Sequence, residues 1–507
     1  MKKAYVTTPI FYPNANPHLG TAYNSIGADV YARAMRLAGV DTKLTTGTDE
    51  HGQKLMRSAE KEGISPQAFV DRMSAIFARL TEIVNLSEHD FIRTTEPRHK
   101  KAATEIWNRI DKGGYFYKDT YAGWYSVPDE TYYTEDELVD GKSPDSGHPV
   151  EWVEEESYYF KLSTFADRLL AHYRENPEFI QPASRRNEVI SFVEGGLRDL
   201  SVSRSTFNWG VPVPGDDKHV MYVWIDALTN YIASLGWPEG DDWQEYFENA
   251  THIIGKDILR FHAVYWPAML MAAGLPLPKK IFAHGFLVVD GQKMSKSKGN
   301  VVDPEDMIEK YGRDQFRYFL MREITFGQDG SFSEEALVRR TNSELANDLG
   351  NLFQRVLSMV FKNCDGQVPA MGDLRPEDRE FLDKFSPELT ESYIRDIEQL
   401  DYQSVLNRVW EVIRAANQYM DKQQPWTLKK GNPAQMGHVL RVIMEGLCAI
   451  SVYVEPFVPE AAHKMQAQLG FTGKTFKDLE ADVKLREGAV ISKPEGVFMR
   501  LEEPAAA

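Results

Sequence analysis

Ala4-Tyr5-Val6-Thr7-Thr8-Pro9-Ile10-Phe11-Tyr12-Pro13-Asn14-Ala15-Asn16-Pro17-His18-Leu19-Gly20-Thr21 is the stretch that decides the fold. Its first seven residues favour a short strand, and the proline and asparagine run after them is turn chemistry. An amphipathic helical pattern then continues to about residue 37. A strand that feeds a turn and a helix N-terminus makes an anion site, because free backbone N–H groups and the helix dipole converge there. His18 falls at that point, and Gly20, having no side chain, lets a base or ribose approach the backbone. Strands and helices keep alternating to about residue 115, the pattern of a parallel sheet covered by helices.

Working outward, the next strand runs into Thr46-Gly47-Thr48-Asp49-Glu50-His51-Gly52. Ligands in such folds collect at the carboxyl ends of strands, so Asp49 is aimed at the crevice of His18, although it also reads as a helix cap. Val220-Met221-Tyr222-Val223-Trp224-Ile225-Asp226-Ala227-Leu228 is a strand turning into a helix that carries Tyr231. Thr251-His252-Ile253-Ile254-Gly255-Lys256-Asp257 is another strand with a polar exit. A strand over residues 281–289 leads to Gly291-Gln292-Lys293-Met294-Ser295-Lys296-Ser297-Lys298-Gly299-Asn300, a flexible cationic loop suited to a polyphosphate. Three lysines alone fit a solvated surface equally well.

Composition sets outer limits. A chain of 507 residues suggests about three domains on the usual ~150-residue prior, and 42% hydrophobic with 26% charged residues is ordinary for a soluble protein. The N-terminal residues lack the apolar run of a secretory signal, and the most apolar stretch, residues 264–277, is broken by Pro267, Gly274 and Pro276. It falls short of the roughly 18 residues of a membrane span. The expectation is a cytoplasmic protein without membrane contact. Cys364 and Cys448, the two cysteines, cannot build a disulfide framework or a multi-cysteine zinc site. A net charge of −17 argues weakly against nucleic acid, since contact depends on local basic and aromatic patches.

His18-Leu19-Gly20-Thr21 and Lys293-Met294-Ser295-Lys296-Ser297 together resemble the two signature motifs of class I aminoacyl-tRNA synthetases. The second agrees at every position; the first has Thr21 where the family usually has a second histidine. Pro9-Ile10-Phe11-Tyr12, residues 224–231, residues 261–267, Asn351-Leu352-Phe353-Gln354-Arg355 and Pro425-Trp426 resemble the methionine-specific branch of that family, over essentially the whole chain. The resemblance implies a ligase that joins L-methionine and ATP as methionyl-adenylate, with Mg²⁺ accompanying the ATP, and then charges the 3′ adenosine of methionine tRNA, initiator and elongator alike. It places His18, Gly20, Thr21, Gly255, Lys256, Asp257, Lys293 and Lys296 at ATP, with His18, Thr21, Lys293 and Lys296 catalytic.

A thioether is long and polarizable and scarcely hydrogen-bonds, so its pocket should be aromatic with one weak donor. Tyr12, Trp224, Ala227, Leu228, Tyr231, Phe261 and His262 fit that description. By resemblance, the Tyr231 hydroxyl and the Ile10 N–H meet the sulfur, Asp49 holds the ammonium, and Arg204 lies near Asp49 as its charge partner. Asn351, Arg355 and Trp426 match positions that read the anticodon. On residue patterns alone, Asn351 and Arg355 are also a polar helix face, and Trp426 beside Lys429 and Lys430 is either a base-stacking platform or a packed core residue.

The implied fold is α/β: a Rossmann-like parallel-sheet catalytic domain with a connective insertion, followed by an all-α helical bundle that binds the anticodon. Its expected parts are residues 1–115 and 208–290 for the two catalytic halves, 116–207 for the insertion, 291–340 for the lysine loop and stem-contact region, and 341–507 for the bundle. Methionine-type relatives often carry Cys-x-x-Cys zinc knuckles in the insertion. Here the spacings read Ser126-Val127-Pro128-Asp129 and Ser143-Pro144-Asp145-Ser146, a poor zinc ligand set, so no structural zinc is expected. A monomer is expected too. A small-molecule adenylate-forming ligase, a synthetase for a branched aliphatic amino acid and a non-catalytic RNA-binding paralogue are the competing readings.

Overall fold

The computed structural model describes residues 2–502 apart from residues 130, 290, 291, 294–300, 474 and 482. A six-stranded sheet runs in the order Asp90–Arg93, Asp41–Thr48, Lys3–Thr7, Ala250–Gly255, Lys280–His284 and Ile180–Gln181, and every neighbouring pair is parallel. From Lys3–Thr7 the chain builds outward on one side and later returns to the other, so strand order reverses between Lys3–Thr7 and Ala250–Gly255. A crevice opens at the carboxyl ends beside such a reversal. Tyr5, Val6 and Thr7 are all buried, as expected of a strand covered on both faces.

Helix Leu19–Leu37 covers one face and is buried along most of its length. Its midpoint is held by the C-terminal half of the chain. The Tyr402 hydroxyl donates to the carbonyl of Gly27 at 2.5 Å. Arg317, fully buried, donates to the Asp29 carboxylate at 2.7 Å and to the carbonyls of Val84 and Pro456 at 2.8 Å. A Cβ at Gly27 would come within 2.5 Å of the Phe326 ring, so only glycine allows this approach.

The excursion from the sheet is built on a long antiparallel ribbon, Phe116–Ser126 against Glu151–Phe160, flanked by Thr131–Tyr133 and Leu200–Ser201. It does not take all of residues 116–207. Ile180–Gln181 returns to the central sheet, with Ile180 opposite Ile281, because the exposed edge of Lys280–His284 offers it paired backbone and a buried side-chain position.

Toward the C-terminus, a π-helical segment, Thr341–Gly350, leads into helices Asn351–Asn363, Tyr402–Gln423, Pro433–Val454 and Pro459–Leu469. Leu345, Leu349, Leu352, Phe353, Val356 and Val360 form a buried face, with Asn351 and Arg355 outside. Helix Pro433–Val454 is long and apolar enough to cross a membrane by length and composition, yet its apolar window is wholly buried in the bundle. Sequence inspection pointed to residues 264–277 instead, since periodicity does not separate a central core helix from a span.

Candidate active site

His18 is the N-cap of helix Leu19–Leu37. Its Nδ1 accepts from the N–H of Gly20 at 3.0 Å, and the Thr21 hydroxyl accepts from the N–H of His18 at 3.3 Å. Thr21 therefore closes a capping box, a task that needs a hydroxyl and no charge. A Cβ on Gly20 would stand 2.9 Å from His18 Cε1, so glycine is what lets the imidazole fold over the turn. Burial lowers the His18 pKa, with Asp257 opposing the shift.

His18, Gly20, Thr21, Gly255 and Asp257 line one cavity of about 580 Å³ together with Asp49 and, from the expected methionine set, Ile10, Tyr12, Trp224, Ala227, Leu228, Tyr231 and His262. Phe261 stands one layer behind, stacked on Trp224 with ring centres 3.7 Å apart. His262 lies on the π-helical turn Phe261–Tyr265, and burial pushes its pKa down to about 4. The Tyr231 hydroxyl, expected at the sulfur, is hydrogen-bonded to His262 Nε2 at 2.7 Å.

The Asp49 backbone N–H bonds to the carbonyl of Phe11 at 2.9 Å. Its neighbour Glu50, fully buried, accepts a two-pronged bond from Arg93 at 2.6 and 3.0 Å and a bond from Thr48 at 2.7 Å. Trp209 Nε1 donates to the Glu50 carbonyl at 2.7 Å. Asp49 thus rests on a loop with little freedom to move.

Two expected side chains turn elsewhere. Arg204 does not line the cavity; its nearest carboxylate is Glu155 at 3.8 Å, and its guanidinium lies over the rings of Tyr222 and Tyr132 while donating to the Ser203 carbonyl at 2.7 Å. It sits where strands Ser203–Arg204 and Asp216–Met221 pair, among aromatic rings that attract its charge. Lys256 does not itself line the cavity; its Nζ lies 2.7 Å from both carboxylate oxygens of Asp329 and 4.5 Å from the ring centre of Phe286, which does. Gln292–Lys293 forms a short strand opposite Val288–Val289, while Lys296 and the rest of its motif lie outside the described residues.

Asn24 and His284 also line the cavity and were not anticipated. Asn24 Nδ2 donates to the Ile253 carbonyl at 3.0 Å and to His284 Nε2 at 2.9 Å. The signal for Asn24 was its place one turn past Thr21 on the same helix; His284, at a strand end, carried none.

The four positions of the knuckle spacings meet at one atom. Asp129 Oδ2 accepts from Ser126 at 2.5 Å, Ser143 at 2.5 Å and Ser146 at 2.6 Å. Three hydroxyls committed to one carboxylate oxygen are not a zinc donor set. In the bundle, Arg355 and Trp426 come together, the guanidinium 5.5 Å from the ring centre, and Trp426 is 43% exposed, which removes the buried-packing reading.

Fold and cavity together are those of the class I aminoacyl-tRNA synthetases. The family model described as tRNA synthetases class I (M) matches residues 4–151 and 135–357, and that of the anticodon binding domain of methionyl tRNA ligase matches residues 368–507. The methionine–tRNA ligase of Brucella suis is 52% identical over 510 residues, covering 99% of this chain and 98% of the relative. That of Bacillus subtilis is 46% identical, covering 98% of this chain and 78% of the relative. The structure of Mycobacterium tuberculosis methionyl-tRNA synthetase in complex with methionyl-adenylate superposes with a TM-score of 0.94 at 47% identity, covering 98% of this chain and all of that one. The chain belongs to the family of methionine–tRNA ligases.

Proposed function

We propose that the chain charges methionine tRNA in two steps through the residues gathered in this cavity. The observation that carries the reading is the continuity of one cavity from the capped helix end, through Asp49, to an aromatic wall. Methionine lies with its side chain among Ile10, Tyr12, Trp224, Ala227, Leu228, Tyr231 and His262, and its ammonium on Asp49. Its carboxylate oxygen attacks the α-phosphorus of magnesium-bound ATP, the bond to the β-phosphate oxygen breaks, and pyrophosphate leaves with the metal. The enzyme supplies no nucleophile; it positions the reactants and stabilises charge. His18 and Thr21 face the phosphates, and Gly255 and Asp257 the ribose. Lys293 and Lys296 bring charge with their loop, Lys296 contributing most in the transition state.

In the second step the terminal adenosine of methionine tRNA, initiator or elongator, takes the methionyl group, while Asn351, Arg355 and Trp426 read the anticodon. The protein works as a cytoplasmic monomer with catalytic, insertion and bundle parts, residues 180–181 of the expected insertion belonging to the catalytic sheet, and with the serine–aspartate knot in place of a structural zinc. ATP–pyrophosphate exchange with each of the twenty amino acids, without tRNA, tests the reading: exchange with methionine alone is expected, and exchange with another amino acid would discard the pocket. Lys296→Ala should slow exchange far more than it weakens methionine binding; equal effects would remove its transition-state role.

A further inference from the structure

Asp226 is a wholly buried carboxylate outside the wall of the cavity. Each oxygen meets a histidine: His51 Nδ1 lies 2.6 Å from Oδ2, and His99 Nε2 lies 2.6 Å from Oδ1. Burial opposes its charge, yet the two imidazoles hold its carboxyl well below the usual carboxylate range. An ionised carboxylate only accepts, so both ring nitrogens are donors, and the two rings are fixed in tautomer and orientation.

The three side chains come from separate elements. His51 follows strand Asp41–Thr48, His99 belongs to helix Pro97–Lys112, and Asp226 belongs to helix Val223–Leu228. Asp49 is two residues before His51; Trp224, Ala227 and Leu228 share the helix of Asp226. The Glu50 bonds fasten the Asp49 loop toward Arg93 and Thr48 on adjoining strands, whereas the His51–Asp226 bond ties it to the helix that forms the pocket wall.

We propose that Asp226 is a positioning residue for amino-acid activation: by tying His51 to the helix of Trp224, Ala227 and Leu228, it fixes the span between the Asp49 carboxylate and the wall of the side-chain pocket. That span sets which side-chain length is activated. The proposal rests on the reading that Asp49 takes the substrate ammonium. It assigns Asp226 no contact with methionine or ATP.

The experiment is ATP–pyrophosphate exchange with methionine and with S-methylcysteine, one methylene shorter, on Asp226→Asn, whose melting temperature is checked alongside. Asparagine keeps the shape of the site but offers one acceptor in place of two. KM for methionine should rise about tenfold with KM for ATP unchanged, and the preference for methionine over S-methylcysteine should narrow by a similar factor. A folded Asp226→Asn with unaltered methionine KM and preference overturns the proposal, as does an equal rise in both KM values, the mark of a merely structural role. Should that variant not fold, His51→Ala is read by the same two criteria. Asp49→Asn separates the two readings. If it retains normal methionine KM, the ammonium reading falls and this proposal with it; if it loses methionine while Asp226→Asn does not, the positioning role alone falls.

Discussion

The Tyr231 hydroxyl lies 2.7 Å from Nε2 of His262, and Nδ1 of the same ring lies 2.9 Å from the carbonyl oxygen of Ile258. A carbonyl only accepts, so Nδ1 bears the hydrogen and Nε2 a lone pair, and Tyr231 donates into the ring. The hydroxyl therefore offers lone pairs, not its hydrogen, to a sulfur in the pocket. Tyr231→Phe should change the kcat/KM ratio of methionine over norleucine by less than about threefold, because no donor to sulfur is lost. A fall of about a hundredfold would show that substrate turns the hydroxyl around.

The same histidine should make the folded state less stable in acid. With a folded pKa of about 4 against an ordinary value near 6.5, His262 binds fewer protons folded than unfolded between those values. Stability must then rise with pH across that window and fall on acidification, by about 3 kcal/mol for this group. Burial shifts His252 and His284 in the same direction. Urea unfolding at pH 4.5 and 6.5 should show the loss, and His262→Gln should reduce it.

The Arg355 guanidinium lies over the ring of the exposed Trp426 and 3.4 Å from Asp421. Trp426→Ala should lower kcat/KM for tRNA by about 10- to 100-fold, the value of one stacked base, with ATP–pyrophosphate exchange unchanged. Loss of both activities would indicate a packing defect instead.

Asp129 is the acceptor that three serines share, and it lies beside Pro128, whose carbonyl takes a bond from Lys54 at 3.3 Å on the cavity wall. Although burial opposes it, the hydroxyls hold the Asp129 carboxyl below its usual value, so this contribution is present at neutral pH and lost as pH falls through the carboxylate range. Asp129→Ala should make the stretch from residue 126 to residue 151 susceptible to limited proteolysis at pH 7, and wild-type protein should show the same cleavage only in acid. Treatment with a zinc chelator should leave the pattern unaltered.

The sheet and the turn capped by His18 were legible because strand, turn and helix chemistry occur side by side within residues 4–21. The aromatic pocket could be assembled from chemistry once the strand exits were known. The resemblance puts Arg204 near Asp49 and Lys256 at ATP, and neither side chain lines the cavity. Glu155 and Asp329, the carboxylates that claim them, are far away in the chain. Ile180–Gln181 is too short for any alternation to mark it. The His51–Asp226–His99 cluster joins three elements by single side chains, and a pattern of that kind has no local period to detect.

Helix Leu19–Leu37 has its first turn at the His18 end of the cavity and its midpoint tied to the C-terminal half by Arg317 and Tyr402. A continuous helix of 19 residues is a stiff spar of about 28 Å. A shift of the C-terminal half against the sheet would carry this helix, and with it His18 and Thr21. The alternative is to tear open the buried Asp29–Arg317 pair, at roughly 3–5 kcal/mol.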